Sequence, residues 1–175
     1  MHRLKLLLLI ILQATYSYAQ DSAIIKVRPK YDRVNGVHRI FFGENYRKEW
    51  STDTKLPYIK ISAIAGGLKP VRLGGGHQTI SLRLVDPKGE EWTLRTIVKD
   101  PSILLPPELR QTFARDVLDD AMSAQHPFSP LVVQDLAAAA GIPHAEPVIG
   151  IVQPDDALVE FSKQFQGQVC LLEMR

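Results

Sequence analysis

The stretch Gly74-Gly75-Gly76-His77-Gln78-Thr79-Ile80-Ser81-Leu82-Arg83-Leu84-Val85-Asp86-Pro87-Lys88-Gly89-Glu90-Glu91-Trp92-Thr93-Leu94-Arg95-Thr96-Ile97-Val98-Lys99 decides how the chain is read. Its three leading glycines make a permissive bend, because a residue without Cβ enters positive φ at no steric cost. From Thr79 to Val85 the residues alternate, with Ile80, Leu82 and Leu84 on one face and Ser81 and Arg83 on the other. Asp86-Pro87-Lys88-Gly89 is turn chemistry. From Trp92 to Lys99 the alternation resumes, with Trp92, Leu94, Thr96 and Val98 on one side. Two alternating runs around such a turn predict a β-hairpin.

Downstream the period changes from two to four. Pro106-Pro107-Glu108 suits a helix start, since the first turn needs no donor from proline and favours an acid. Leu109, Phe113, Val117 and Ala121 then recur every fourth residue, with Ala114, Leu118 and Met122 beside them, an amphipathic stripe. A second helix is expected with Ser129 as N-cap, Pro130 at its first position and Gly141 as its stop. Its apolar content, Leu131 to Val133, Leu136 and Ala137 to Ala140, predicts substantial burial. Val148 to Val152 and Val169 to Leu172 read as buried strands, and Pro154-Asp155-Asp156 opens a short helical or irregular segment, with the two acids read as a helix cap rather than a metal site. Upstream, Ala23 to Val27 reads as an edge strand and Asn35-Gly36 as a turn. The run from Ile40 to Trp50 reads as a short strand followed by a helical turn, and Tyr58 to Ile64 as a strand ended by Gly66-Gly67. The expected fold is therefore α+β, an antiparallel sheet with one or two packed helices. The expected organisation is a leader over 1–19, an extended region with short strands over 20–72, and an α+β module over 73–175.

The leader has its own logic. Met1-His2-Arg3-Leu4-Lys5 is basic, Leu6 to Leu12 is an unbroken apolar run, and Ser17-Tyr18-Ala19 places small residues where a signal peptidase cuts. The apolar run is far shorter than the roughly 20 residues of a spanning helix. An exported protein is expected, in the periplasm or associated with the outer membrane or cell surface, with no transmembrane helix in its mature chain. Cleavage removes Arg3 and Lys5, so 21 basic residues become 19, against 19 acidic ones. A chain without basic excess is not built to bind nucleic acid. Cys170 is the only cysteine, so no internal disulfide forms, and its apolar neighbours predict a buried strand thiol. The chain stops at Arg175, directly after an apolar run, which leads us to expect the N-terminal part of a longer protein.

A glycine-rich bend, a strand, a turn, a strand with basic residues, a helix and two strands follow one another in an order that resembles the small lobe of protein-kinase-like folds. There a glycine-rich loop lets backbone donors approach phosphate oxygens, a strand cation grips the phosphates, and a helix acid positions that cation. On this resemblance the ligand-binding residues are Gly74, Gly75, Gly76, His77, Gln78 and Thr79 of the loop, with Arg95 and Lys99, placed four apart on one strand face. The helix acids are Glu108, Asp116, Asp119 and Asp120, and the implied ligand is ATP or another phosphate compound. The loop GGGHQT is not G-x-G-x-x-G, WTLRTIVK is not V-A-I-K, and neither an H-R-D nor a D-F-G motif is present. No catalytic residue is assigned. His38, His77, His126 and His144 form no metal-binding spacing, and no metal site is expected. Glu44, Arg47 and Glu49 are expected to form a structural ion-pair network.

Phe41-Phe42-Gly43-Glu44-Asn45-Tyr46-Arg47-Lys48-Glu49-Trp50, together with the segments 74–84, 92–101 and 171–175, resembles a region of large exported Bacteroidota proteins. Those are BamA/TamA-like outer-membrane or surface-antigen proteins, some with a metallophosphoesterase domain. The resemblance implies a setting, a periplasmic or surface module whose partner is the remainder of a larger outer-membrane protein. It implies neither a barrel nor a phosphoesterase site within these residues. The leading expectation is a non-catalytic envelope module that binds a partner or anionic ligand. The alternatives are the N-terminal half of a nucleotide- or phosphate-using kinase-like enzyme and a small independent secreted binding protein. The mature protein is predicted to begin at Gln20; N-terminal sequencing that finds Met1 retained in the exported protein would overturn the signal assignment.

Overall fold

The computed structural model describes residues 21–75 and 79–175; the expected signal peptide and Gly76, His77 and Gln78 lie outside the described residues. Seven strands form one open sheet in a mostly antiparallel α+β fold. They are β1 (Ser22–Ile25), β2 (Thr54–Ile59), β3 (Lys69–Gly74), β4 (Ser81–Val85), β5 (Glu91–Thr96), β6 (Val148–Val152) and β7 (Val169–Met174), in the order β1-β2-β6-β7-β5-β4-β3. The pairing of β2 with β6 is parallel and the others are antiparallel. The helices are α1 (Gly36–Phe42), α2 (Arg47–Ser51), α3 (Phe113–Ala121), α4 (Ser129–Ala139) and the single turn α5 (Ser162–Phe165). Strands from both sides of the expected 72/73 boundary share this sheet, and the boundary falls inside β3.

The hairpin forms as its alternation predicts. Leu82 faces Leu94 and Leu84 faces Trp92 across β4 and β5. The Asp86 carboxylate accepts hydrogen bonds from the Lys88 and Glu90 amides, which closes the turn. The face carrying Leu82, Leu84 and Leu94 continues through Cys170, Leu172, Val152 and Ile59. It is closed by Ile61 and Leu68 after β2 and by Leu158 and Phe165 before β7. Asp155 caps that closing segment, accepting from Ala157 N and, at the surface, from Ser62 N of the segment after β2. Burial pushes the Cys170 thiol up to about 12, so it is inert at neutral pH. The opposite face is apolar only in part. Leu56, Ile149, Val169 and Leu171 pack there against Phe128 and Leu131 at the start of α4. Gly150 is needed in β6 because a Cβ there would lie 2.5 Å from the Pro57 carbonyl oxygen of the neighbouring strand.

Several local expectations are corrected. Ile40 to Phe42 is not a strand but the end of α1, because Asn35 caps a helix by accepting from His38 N. The strand expected over 58–64 runs from Thr54 to Ile59 instead, and Ile61–Ala63 turns in a 3-10 helix to put Ile61 in the core. The edge strand β3 escapes the alternation test because its Pro70 sits at a register shift. The strand after the turn ends at Thr96, not Lys99. Ile97 N still donates to Val169 O, but Asp100 then caps a turn begun by Pro101 and draws the chain off the sheet. Helix α3 starts at Phe113 under a Thr112 cap, and its stripe is not buried, since Phe113 is 80% exposed. Helix α4 contacts the sheet through its first turn only, leaving Val132, Val133 and Leu136 in solvent. Its cap position is Phe128, with Ser129 already helical.

The N-terminal region is tied down by buried charge. Arg47 of α2 is fully buried. It donates to both Asp120 oxygens, at 2.6 and 2.8 Å, and to the carbonyls of Tyr31 and Gly43. His38 Nε2 lies 3.1 Å from the same carboxylate. The expected network of Glu44, Arg47 and Glu49 is replaced by this one, with Glu44 paired to Arg39 instead. Next to it, Asp119 is held by Arg28 and Lys30. Burial and the Asp119 charge push the Tyr31 phenol up to about 12. Burial opposes the Asp120 charge, but the Arg47 hydrogen bonds and then His38 outweigh it and hold the carboxyl below its usual range. A depressed carboxyl stabilises the fold at neutral pH and loses that contribution as pH falls through its folded value. Asp120→Ala, which strands a buried guanidinium, is expected to cost about 3 kcal/mol in urea unfolding at pH 7. Arg39→Ala, at a more exposed pair, should cost much less than Asp120→Ala in the same measurement. The gap between wild type and Asp120→Ala should narrow below about pH 4; a gap unchanged at acid pH would contradict the assignment.

Candidate functional site

One cross-strand row positions the site. Ile149 of β6 faces Leu171 of β7, Leu171 faces Arg95 of β5, Arg95 faces Ser81 of β4, and Ser81 faces Gly74 of β3. Residues so paired share one face of the sheet. Along this row the chemistry passes from apolar to cationic to hydroxyl to glycine. The end of β3 at Gly74 and the strand cation therefore lie in one row, with Ser81 between them, although they stand 21 positions apart in the chain.

Over the row opens a cleft of about 420 Å³. Its floor is Arg95, Thr96, Ile97 and Leu171, with Thr79 and Lys99 at one side. Its other wall is Trp50 of α2, the loop Gln125-His126-Pro127, and Ser129 and Pro130 of α4. This wall is held in place by packing and hydrogen bonds. The Trp50 indole donates to Gln125 O at 2.7 Å, and its ring meets Tyr31 edge-on at 5.4 Å. Phe128 N donates to His126 Nδ1, so the neutral imidazole carries its proton on Nε2.

Of the residues expected from sequence, Thr79, Arg95 and Lys99 line this cleft. Gly74 ends β3 against the Ser81 hydroxyl, and Gly75 adopts φ +90° with no room for a Cβ, which would lie 2.2 Å from Thr79 O. Gly76, His77 and Gln78 lie outside the described residues. Arg95 and Lys99 do not share a strand face; Lys99 reaches the cleft from the bend beyond β5. Burial, and then the Arg95 charge beside it, lower the Lys99 ammonium below its usual range. The expected helix partner for these cations is not found. Asp119 and Asp120 are committed to Arg28, Lys30 and Arg47, and among the described residues no carboxylate lies within 4 Å of Arg95 or Lys99.

Among the described residues no carboxylate lines this cleft. No group of three metal-binding side chains occurs among them either. What the cleft offers is positive charge, the Thr79 and Ser129 hydroxyls, and the positive end of the α4 dipole. Charge and donors of this kind are complementary to an anion; general-base chemistry would need an acceptor placed beside it. Trp50, Gln125, His126 and Leu171 were not foreseen as site residues. The one local hint was the proline-punctuated run His126-Pro127-Phe128-Ser129-Pro130 ahead of a helix. No helix among the described residues is long and apolar enough to cross a membrane. No protein-family model, curated protein or solved structure matches the chain.

The Gly75 bend sets where Thr79 stands. Gly75→Ala is predicted to destabilise the protein by about 1 kcal/mol or more, because alanine meets both a positive φ and a backbone oxygen. Urea unfolding checks this, and a variant as stable as wild type would mean that the bend is not held in this form.

Proposed function

We propose that the mature chain is a non-catalytic binding module of a bacterial envelope protein, and that it holds an anionic group in the cleft between β5 and the start of α4. One observation carries this reading: Arg95 and Lys99 converge on a single cleft with no carboxylate partner. Two neighbouring cations repel each other, and burial around Lys99 makes its charge dearer still. A bound anion relieves both costs. The envelope setting rests on the sequence, through the export signal and the resemblance to outer-membrane surface-antigen proteins, whose remaining part is the partner this reading assigns.

A second reading is the N-terminal half of a nucleotide-using enzyme. It is favoured by Thr79, at the end of the glycine bend, lining the same cleft as Arg95 and Lys99. The two readings differ in metal dependence, because phosphoryl-transfer sites hold their nucleotide with a divalent ion.

The test is a thermal-shift titration of the chain from Gln20 with inorganic phosphate and with ATP, each with and without magnesium. The binding-module reading expects a rise in Tm that needs no metal. At a ligand concentration of 100 Kd this is worth about 2.7 kcal/mol, or several degrees. The rise should vanish in R95A/K99A. A rise seen only with ATP and magnesium would favour the enzyme half-site, and a wild-type melt that neither ligand moves would overturn both.

A further inference from the structure

A second cleft, of about 480 Å³, adjoins the first. Thr79, Thr96 and Lys99 line both, so Lys99 stands at the junction between them. Beyond the junction the second cleft adds Arg28, Arg115 and Lys163. The two clefts together present five cations against two carboxylates, Asp100 and Asp119. Asp119 is already neutralised by Arg28 and Lys30, and Asp100 accepts from Ser102 N as a cap and lies in the field of Arg115 and Arg28. Arg95, Lys99, Arg115 and Lys163 have no carboxylate within 4 Å among the described residues. This concentration of free positive charge stands out in a chain whose mature form balances acids and bases. Of the residues that line the second cleft, Arg28 also keeps a donor unserved, since its Nε is buried without a hydrogen-bond partner.

We infer that the two clefts form one groove around Lys99 and that it takes a linear oligophosphate, with one phosphate at Arg95 and another at Arg115 and Lys163. The inference rests on the anion site proposed for the first cleft and names the class of its ligand. Phosphate fits better than carboxylate because a terminal phosphate carries more charge and more free acceptor oxygens, which suits a surface with more cations than acids. Arginine's planar fork grips such a group in a bidentate way, and lysine acts as a point charge that two neighbouring phosphates can share. The Thr79 hydroxyl at the junction is a donor for the bridging region, while Thr96 gives its proton to Ile80 O.

Calorimetric titration of the chain from Gln20 with orthophosphate, tripolyphosphate and citrate tests this at low ionic strength. Tripolyphosphate should bind about tenfold or more tighter than orthophosphate and tighter than citrate. In R115A/K163A, whose two altered side chains are exposed, the ratio of tripolyphosphate to orthophosphate affinity should collapse to about one. In R95A/K99A both phosphates should lose binding. A wild-type ratio near one, or a ratio that survives R115A/K163A, would overturn the single groove and leave the first-cleft anion site standing. Citrate binding as tightly as tripolyphosphate would overturn the phosphate assignment. No binding of any of the three would overturn the anion site itself, and this inference with it.

Discussion

The buried guanidinium of Arg47 constrains everything on the helical side of the sheet. Arginine does not lose its proton in a protein, so a fully buried one demands a permanent counter-charge and carbonyls for its remaining donors. Asp120 supplies the charge, and Tyr31 and Gly43 supply the carbonyls. Three segments far apart in sequence are thereby brought to one point. Trp50 sits one turn along from Arg47 in α2, and Gln125 follows α3 closely, so the ion pair also fixes the wall of the cleft. Hydrophobic burial alone would not do this, because the helices on this side leave much of their apolar surface in solvent.

The two faces of the sheet do different work. One is a continuous apolar surface from Ile59 to Leu84, closed by short local segments, and it carries the core. The other is apolar under the start of α4 and turns polar across β5 and β4. The cleft lies where that change occurs, between Leu171 and Arg95. A helix packs over the apolar part because burial there is favourable, and it stops where it would have to desolvate a charge. The cavity is thus a consequence of the row Ile149, Leu171, Arg95, Ser81 and Gly74, and its basic character comes from the same row.

Part of the site was legible beforehand. The hairpin puts Arg95 opposite Ser81, so the strand that follows the glycine bend meets that cation by local pairing. The acid expected to hold the cation was not legible. Asp119 and Asp120 lie on the expected helix, but which cation an acid meets depends on the rotation of the helix and on every competing charge. Arg28, Lys30 and Arg47 lie near the other end of the chain and take them first. Lys99 reaches the cleft for a reason that strand periodicity misses, since Asp100-Pro101 ends the strand and turns the lysine inward. Trp50 arrives from a separate segment with no signature in sequence, and His126 with only the proline-punctuated run that follows it.

Local chemistry was enough to specify the hairpin and its turn, the buried strands β6 and β7, the inert Cys170, the helix after Ser129 and the cap at Asp155. Each of these depends on alternation, a proline, a glycine or a side chain bonding its own backbone within a few residues. Strand order, the parallel pairing of β2 with β6, the exposure of α4 and the gathering of cations around two adjoining clefts were decided by the tertiary structure alone. These depend on which surfaces and charges compete for the same partner, a competition over long sequence separations that no local pattern records.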